Sequence, residues 1–269
     1  MSATRKDSHE EPESGSEDAD GEAVFEFADP GDAPEEGTDR DPSEEPSAEA
    51  SSDPAESDEE AELQDPLERE LSRASALARD GKVEEALDAY RSLVKAFPAS
   101  VKARNNLGVL LDQVGQHATA LEQFEAARDL EPENVGVLSN LGASLAALSR
   151  YDEAEKELRR ALRLESERVD VRANLGILYF RKGLYGQAEA ELRWVCRQDP
   201  NHGPAHFYRG ESLNRLGRVD EALETLERAT HLQPANAKAY YVMGILYDRK
   251  HLPQEAAAMY RKARELSGR

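Results

Sequence analysis

The amino-acid sequence predicts an all-α fold, an α-solenoid of six stacked helix hairpins preceded by a disordered acidic N-terminal tail. Three observations lead to this prediction. The tripeptide Asn-Leu-Gly returns at intervals of 34 residues, at 106–108, 140–142 and 174–176. Apolar residues recur at helical spacing between its copies. Nearly all of the net charge lies in the first quarter of the chain.

The charge distribution separates a tail from a folded domain. The 269 residues carry a formal charge of −21, and residues 1–66 hold 25 Asp and Glu but only 3 Lys and Arg. This segment is poor in branched and aromatic residues, so it cannot bury enough apolar area to offset the entropy of ordering. We therefore expect a disordered acidic tail at 1–64 and a folded domain at 65–269. The apolar cluster AVFEF at 23–27 is either a chance feature of the tail or a short linear motif.

The sequence lacks the features of a secreted or membrane protein. The start MSATRKDSHEEP has no apolar run after its basic residues, and no stretch approaches the roughly 18–20 apolar residues that span a bilayer. The single cysteine, Cys196, excludes an intramolecular disulfide. The acidic tail argues against contact with nucleic acid or anionic lipid, which would repel it. We expect a cytoplasmic protein that does not insert into membranes.

The 34-residue period extends without a gap in both directions from the three tripeptides. Six units fit the chain: 67–100, 101–134, 135–168, 169–202, 203–236 and 237–269. Counting the first residue of each unit as position 1, position 20 is always alanine, position 8 is glycine in five units and Ala74 in the first, and position 24 is large and apolar. Small residues let two helices approach closely and large ones fill the space beside the crossing, so each unit is predicted to be a helix hairpin.

Turn residues mark the ends of the predicted helices. Position 15 is glycine in four units, at Gly81, Gly115, Gly183 and Gly217, which suits a left-handed cap at the end of the first helix. Proline at position 32 of most units is expected to stop the second helix. Asp65 as N-cap followed by Pro66 predicts the start of the first hairpin.

This pattern resembles the tetratricopeptide repeat, whose 34-residue unit has small residues at positions 8, 20 and 27 and proline at 32. The resemblance covers 67–269 and implies a right-handed superhelix whose first helices line a concave groove. The departures are few: tryptophan is absent from position 4, Arg209 replaces an apolar residue at position 7, and the first unit has Arg73-Ala74 in place of Leu-Gly. At least about three such repeats are needed for stability, because each contacts only its neighbours.

The repeated asparagines are predicted to be binding residues of the groove. Asn106, Asn140 and Asn174 occupy position 6, on the helix stripe opposite the core. An amide both donates and accepts, so a stack of three would hold an extended peptide backbone without selecting its side chains. The arrangement resembles the asparagine ladder in the superhelical repeats of O-GlcNAc transferase. The alternative is that each amide bonds to a neighbouring repeat and orders the stack.

The second half of the groove is predicted to be aromatic and cationic. Phe180, Phe207, Tyr208 and Tyr241 either form a pocket for apolar side chains or pack between repeats. Position 13 supplies Arg181, Arg215 and Arg249, with Arg79 in the first unit. These arginines either stabilise helix C-termini or contact an acidic ligand, for which the chain's own tail is an intramolecular candidate.

The remaining features point to interaction rather than catalysis. Trp194 on the convex side is either a second contact surface or a side chain lying along its helix, and the last hairpin leaves an apolar flank open. His202 and His206 are expected to be turn residues rather than metal ligands, and Cys196 a core residue. The sequence therefore predicts a non-enzymatic adaptor, without cofactor, that binds an extended segment of another protein. The alternative is a structural scaffold that forms a homo-oligomer.

Overall fold

The structure, a computed structural model, describes residues 66–268. The acidic tail predicted at 1–64 and the N-cap Asp65 lie outside the described residues. The described part contains helices and turns, with two helices in each predicted unit. They are α1 (Pro66–Arg79), α2 (Val83–Ala96), α3 (Val101–Gln113), α4 (His117–Leu130), α5 (Val135–Ala147), α6 (Tyr151–Leu164), α7 (Val169–Arg181), α8 (Tyr185–Gln198), α9 (Gly203–Arg215), α10 (Val219–Leu232), α11 (Ala237–Arg249) and α12 (Pro253–Ser267).

Each hairpin closes through one small and one large residue. A Cβ atom on Gly142 would lie 2.6 Å from Leu158 Cγ, and one on Gly244 would lie 2.5 Å from Tyr260 Cε1. Real Cβ atoms do not approach so closely, so glycine at position 8 is what lets the position-24 side chain reach the facing helix. The α-solenoid architecture, with the core between and along the hairpins, is confirmed.

The first helix of each unit ends in a left-handed residue. Gly81, Gly115, Gly183 and Gly217 have φ between +74° and +77°, as the sequence predicted. Ser149 (φ 59°) and His251 (φ 57°) occupy the same position in the third and sixth units. These two units therefore adopt the same turn with residues for which it is less favourable.

Side-chain caps start the first helices of several units. Ser100 Oγ accepts from the backbone N–H of Ala103, and Asn134 and Asn236 cap α5 and α11 in the same way. His202 takes this role for α9, where its Nδ1 accepts from the N–H of Ala205 at 3.0 Å. The expectation that His202 is a turn residue is therefore confirmed.

Residues other than tryptophan at position 4 form hydrogen bonds to the turn between two repeats. Arg104 Nε donates to the carbonyl oxygen of Pro98 at 2.9 Å, and Arg172 Nε donates to that of Ser166 at 3.0 Å. His206 Nε2 lies 3.2 Å from the carbonyl oxygen of Pro200. Each of these carbonyls is at position 32 of the preceding unit, so position 4 stabilises the turn that connects two repeats.

The unexpected Arg209 at position 7 has a matching partner. Its Nε lies 3.4 Å from Glu189 Oε1, and Glu189 is buried at position 21 of the preceding unit. Arg218 and Arg193 approach the second oxygen of Glu189 at 3.7 and 3.9 Å. At three of the other four contacts between consecutive units these two positions are both apolar, whereas here they carry opposite charges.

Candidate functional site

Consecutive units meet through positions 5 and 6, and we call each such contact a joint. At the second joint Asn140 Nδ2 donates to Asn105 Oδ1 at 2.9 Å, and at the third joint Asn174 Nδ2 donates to Ser139 Oγ at 3.2 Å. Both position-6 asparagines are 0% exposed. Their expected contact with a peptide in the groove is therefore corrected: burial closes these two amides to a ligand, and they join adjacent repeats.

The first joint differs from the next two. Asn106 is buried, and its Oδ1 has no hydrogen-bond partner among the described residues. The residue at position 5 of the preceding unit is Leu71, which offers no polar atom. Asn106 consequently keeps an unmet acceptor that the equivalent joints do not have, and an unpartnered buried acceptor is costly.

Asn106 lines a cleft of about 550 Å³ between the first two units, which we call the N-terminal cleft. Its walls are the inner faces of α1 and α3. An exposed ion pair, Lys102 Nζ to Glu68 Oε2 at 2.8 Å, bridges its rim. The lining residues are Glu68, Leu71, Ser72, Ser75, Ala78, Arg79, Tyr90, Lys102, Asn106, Val109, Leu110 and Gln113.

The fourth and fifth units contribute an aromatic cluster to the second half of the groove. The rings of Phe180 and Tyr208 lie 5.4 Å apart, and those of Phe207 and Tyr208 lie 5.1 Å apart. Phe207 and Tyr208 are each only 8% exposed, so packing between repeats accounts for most of their surface. Phe180 is half-buried and is the accessible edge of the cluster.

Tyr185 belongs to this cluster, although the helical pattern of the sequence did not predict it. Its ring lies 5.7 Å from that of Phe180, and the guanidinium of Arg215 lies 5.7 Å from its centroid. Tyr185 is the first residue of α8, directly after the turn that leaves α7. Tyr151 at the same position of the preceding unit is the sequence signal that an aromatic residue can occupy this place.

Tyr241 does not lie in this cluster. Its ring lies 5.6 Å from that of Tyr260, and the side chain is 55% exposed. Position 5 faces the following unit at every joint, and no unit follows α12 in the described chain. The predicted place of Tyr241 beside Phe180 is therefore corrected to the C-terminal end of the array.

The arginines at position 13 have different partners. Arg181 Nη1 lies 3.5 Å from the carbonyl oxygen of Ala146, and Arg249 Nη1 lies 2.8 Å from Asn214 Oδ1. Both partners are at the C-terminus of the preceding first helix, where a cation is favourable. Arg215 lies over Tyr185, whereas the exposed Arg79 has no ion pair or hydrogen bond from its guanidinium to any residue of 66–268.

A carboxyl group lies on the groove side of α9. Burial raises the pKa of Glu211, while the nearby charges of Arg215 and Lys238 and a hydrogen bond from Asn214 act in the opposite direction. The favourable interactions with these three residues thus do not fully offset the cost of burying the ionised carboxylate. A further donor brought by a ligand would favour the ionised form.

The other singled-out side chains have structural partners. The guanidinium of Arg172 lies 4.4 Å above the ring of Trp194, which is half-buried, so one face of the indole is covered. Burial raises the pKa of the Cys196 thiol to about 11, which makes it a poor nucleophile. Within 66–268, no three His, Cys, Asp or Glu side chains cluster as a metal site would require. No helix in that range has the length and apolarity to cross a bilayer.

The fold and its regular joints define a class of helical repeat proteins, and the comparisons with known proteins name it. One tetratricopeptide repeat family model matches residues 71–135, 173–237 and 209–268, and a second matches 111–163. The chain belongs to the tetratricopeptide repeat family, as the sequence pattern predicted. No curated protein matches the chain.

Solved structures show the same fold. MamA MSR-1 C2 is 25% identical with a TM-score of 0.52, covering 61% of this chain and 95% of its own. YrrB, described as a TPR protein with an unusual peptide-binding site, is 24% identical with a TM-score of 0.51 and covers 67% and 93%. The Cut9-Hcn1 hetero-tetramer of the APC/C gives a TM-score of 0.70 at 17% identity and covers 74% of this chain and 39% of its own. A tetratricopeptide repeat array serves as an adaptor or scaffold for other proteins.

Proposed function

We propose that the protein is a non-enzymatic adaptor that binds an extended segment of another protein along the second half of its groove. The observation that carries this proposal is the aromatic cluster of the fourth and fifth units, whose accessible edge is formed by Phe180 and Tyr185 beside Arg215. Aromatic and arginine side chains contribute most of the energy in protein interfaces.

The chemistry of this surface defines the ligand. The half-buried rings of Phe180 and Tyr185 suit an apolar or aromatic side chain. The carboxylate of Glu211 suits an N–H donor or a cation, because its burial is incompletely compensated. We expect an extended segment with an apolar anchor and a basic residue close to it. Disulfides are typical of proteins in oxidising compartments, and a chain with one cysteine cannot form an intramolecular one. The cytoplasm therefore stays the predicted location.

The test is selection of binding peptides from a displayed random library on the full-length protein. The Phe180→Ala variant should then bind the selected peptide at least about tenfold more weakly, which corresponds to about 1.4 kcal/mol. Arg215→Ala, at an exposed position, should also weaken binding without a change in thermal stability. Trp194→Ala on the convex side is the matched aromatic control. Equal affinity for the Phe180→Ala variant and the wild type would place the site elsewhere.

The second candidate function is a self-assembling scaffold, and the exposed side chains of the last described hairpin favour it. Tyr241 is 55% exposed at a position that contacts the next unit wherever one follows, and Met259, Tyr260 and Leu266 of α12 are only partly buried. Light scattering of the full-length protein should then show a mass that rises with concentration. Tyr241→Asp should abolish the rise. A constant monomeric mass would remove this candidate and leave the adaptor unaffected.

A further inference from the structure

Two unengaged polar groups meet in the N-terminal cleft. Asn106 Oδ1 has no hydrogen-bond partner, and the guanidinium of Arg79 has none among residues 66–268. The equivalent groups of the later units are engaged: Asn140 bonds to Asn105, and Arg249 bonds to Asn214. Two independent observations thus point to the same cleft, which differs from every joint that follows.

The chemistry of these groups specifies an acidic, extended peptide. An amide oxygen takes an N–H donor, which a peptide backbone offers, and a guanidinium takes a carboxylate. The exposed Lys102 is a second cation, and its pair with Glu68 is solvent-accessible on both sides. Exposed pairs of this kind contribute little, so Lys102 is available to exchange its partner.

The chain itself carries such a peptide shortly before α1 in the sequence. The run DPAESDEEAE at 53–62 contains six acidic residues and no basic one. It precedes Pro66 by a few residues, and α1, which begins there, is one wall of the cleft. The 14 residues of α1 span about 21 Å, a distance that about seven extended residues cover. A tethered segment acts at a millimolar effective concentration.

We propose that the N-terminal cleft is a site for an acidic peptide, and that its occupant is the chain's own run 53–62, folded back along α1. A backbone N–H of the run donates to Asn106 Oδ1 once that side chain turns from its buried position into the cleft, and the carboxylates of the run pair with Arg79 and Lys102. This contact is separate from the aromatic cluster, so it covers one end of the groove and leaves the proposed partner site open. Because the charges are exposed, the contact weakens with salt.

The test is paramagnetic broadening in amide NMR spectra of the full-length protein. A nitroxide is attached at Gln113→Cys, whose native residue is exposed and lines the cleft. Cys196 stays unlabelled in the folded state, since it is buried and its thiol has a pKa of about 11. Amides of 53–62 should lose intensity, and the loss should disappear in about 0.5 M NaCl, where screening is nearly complete over a few Å.

Matched variants make the result decisive. The same label at Glu122→Cys, exposed on the second helix of the second unit, should leave 53–62 unaffected. Arg79→Gln, at an exposed position that does not threaten folding, should reduce the broadening. Asn106→Ala added to Arg79→Gln should reduce it further. Equal broadening from both labels, no broadening, or broadening confined to residues outside 53–62 would overturn the proposal. Loss of peptide binding in the Phe180→Ala variant is a separate readout that this result does not affect.

Discussion

The first joint of the array and the two joints that follow it contain the same residue at position 6 and use it differently. Asn140 and Asn174 are fully buried and donate across their joints, whereas Asn106 has an unmet acceptor at the edge of a cleft. The cause lies 35 residues earlier, where Asn105 and Ser139 offer oxygen atoms and Leu71 does not. The role of the asparagine at position 6 therefore depends on the residue at position 5 of the preceding unit.

The fourth joint extends this comparison to charges and gives the largest expected effect. Arg209→Leu leaves the buried Glu189 with two distant arginines, and removing one partner of a buried pair costs about 3–5 kcal/mol. We expect a loss of stability at the lower end of that range in urea unfolding. Glu189→Leu combined with Arg209→Leu should recover most of it. A double variant as unstable as the single one would contradict this account of the joint.

The asparagines themselves give the next largest effect. Asn140→Ala leaves Asn105 Oδ1 without its donor, which should cost about 1–3 kcal/mol of unfolding free energy. Asn106→Ala breaks no hydrogen bond within 66–268 and should cost at least about 1 kcal/mol less. Urea unfolding of the two variants checks this difference. Equal costs would mean that the first joint is not the exception described here.

Position 15 offers a smaller change of opposite sign. Ser149 has φ 59° where four other units have glycine, so Ser149→Gly should stabilise the protein by about 1 kcal/mol. Thermal unfolding measures the gain. Gly81→Ala is the matched control and should destabilise by a similar amount, because it places a Cβ atom on a left-handed residue. A lower melting temperature for Ser149→Gly would show that the serine side chain contributes more than its backbone conformation costs.

The smallest expected effect is a dependence on pH. Burial lowers the pKa of His206, and the neighbouring Arg228, Arg209 and His202 act in the same direction, against its hydrogen bond to Pro200. The folded state therefore binds this proton less readily than the unfolded state, whose imidazole titrates near 6.5. Stability is retained above that pH and falls below it. His206→Gln should flatten the urea midpoint between about pH 7 and pH 5. An unchanged slope would exclude His206 as the cause.

The sequence predicted what recurs along the chain. Glycine at position 8 and alanine at position 20 must repeat because the helix crossing repeats, so the hairpins followed from their spacing, and the resemblance to the tetratricopeptide repeat supplied their stacking. The direction of the amides did not follow, because positions 5 and 6 adjoin both the groove and the next repeat. Only the paired residue 35 positions away decides between these environments. The same applies to Tyr241, whose position faces a following unit that the described chain does not contain.

Tyr185 shows a second limit. Its position lies outside the stripe of the first helix that a helical pattern assigns to the groove, and it reaches Phe180 only because the turn at Gly183 folds the next helix back. Arg209 shows the reverse case. In the sequence it only departs from the apolar pattern of position 7, and the structure explains the departure by placing Glu189 beside it.

The spacing of the joint pairs has a consequence for the length of the molecule. Ser139 at position 5 accepts from an asparagine at position 6 of the unit that follows, and unit 135–168 itself carries asparagine at position 6. A second copy of this unit inserted after residue 168 would meet its twin through the same serine and asparagine, and would present the same surface to the unit beyond. Duplication of 102 base pairs would thus lengthen the protein by one hairpin while both of its ends stayed as they are.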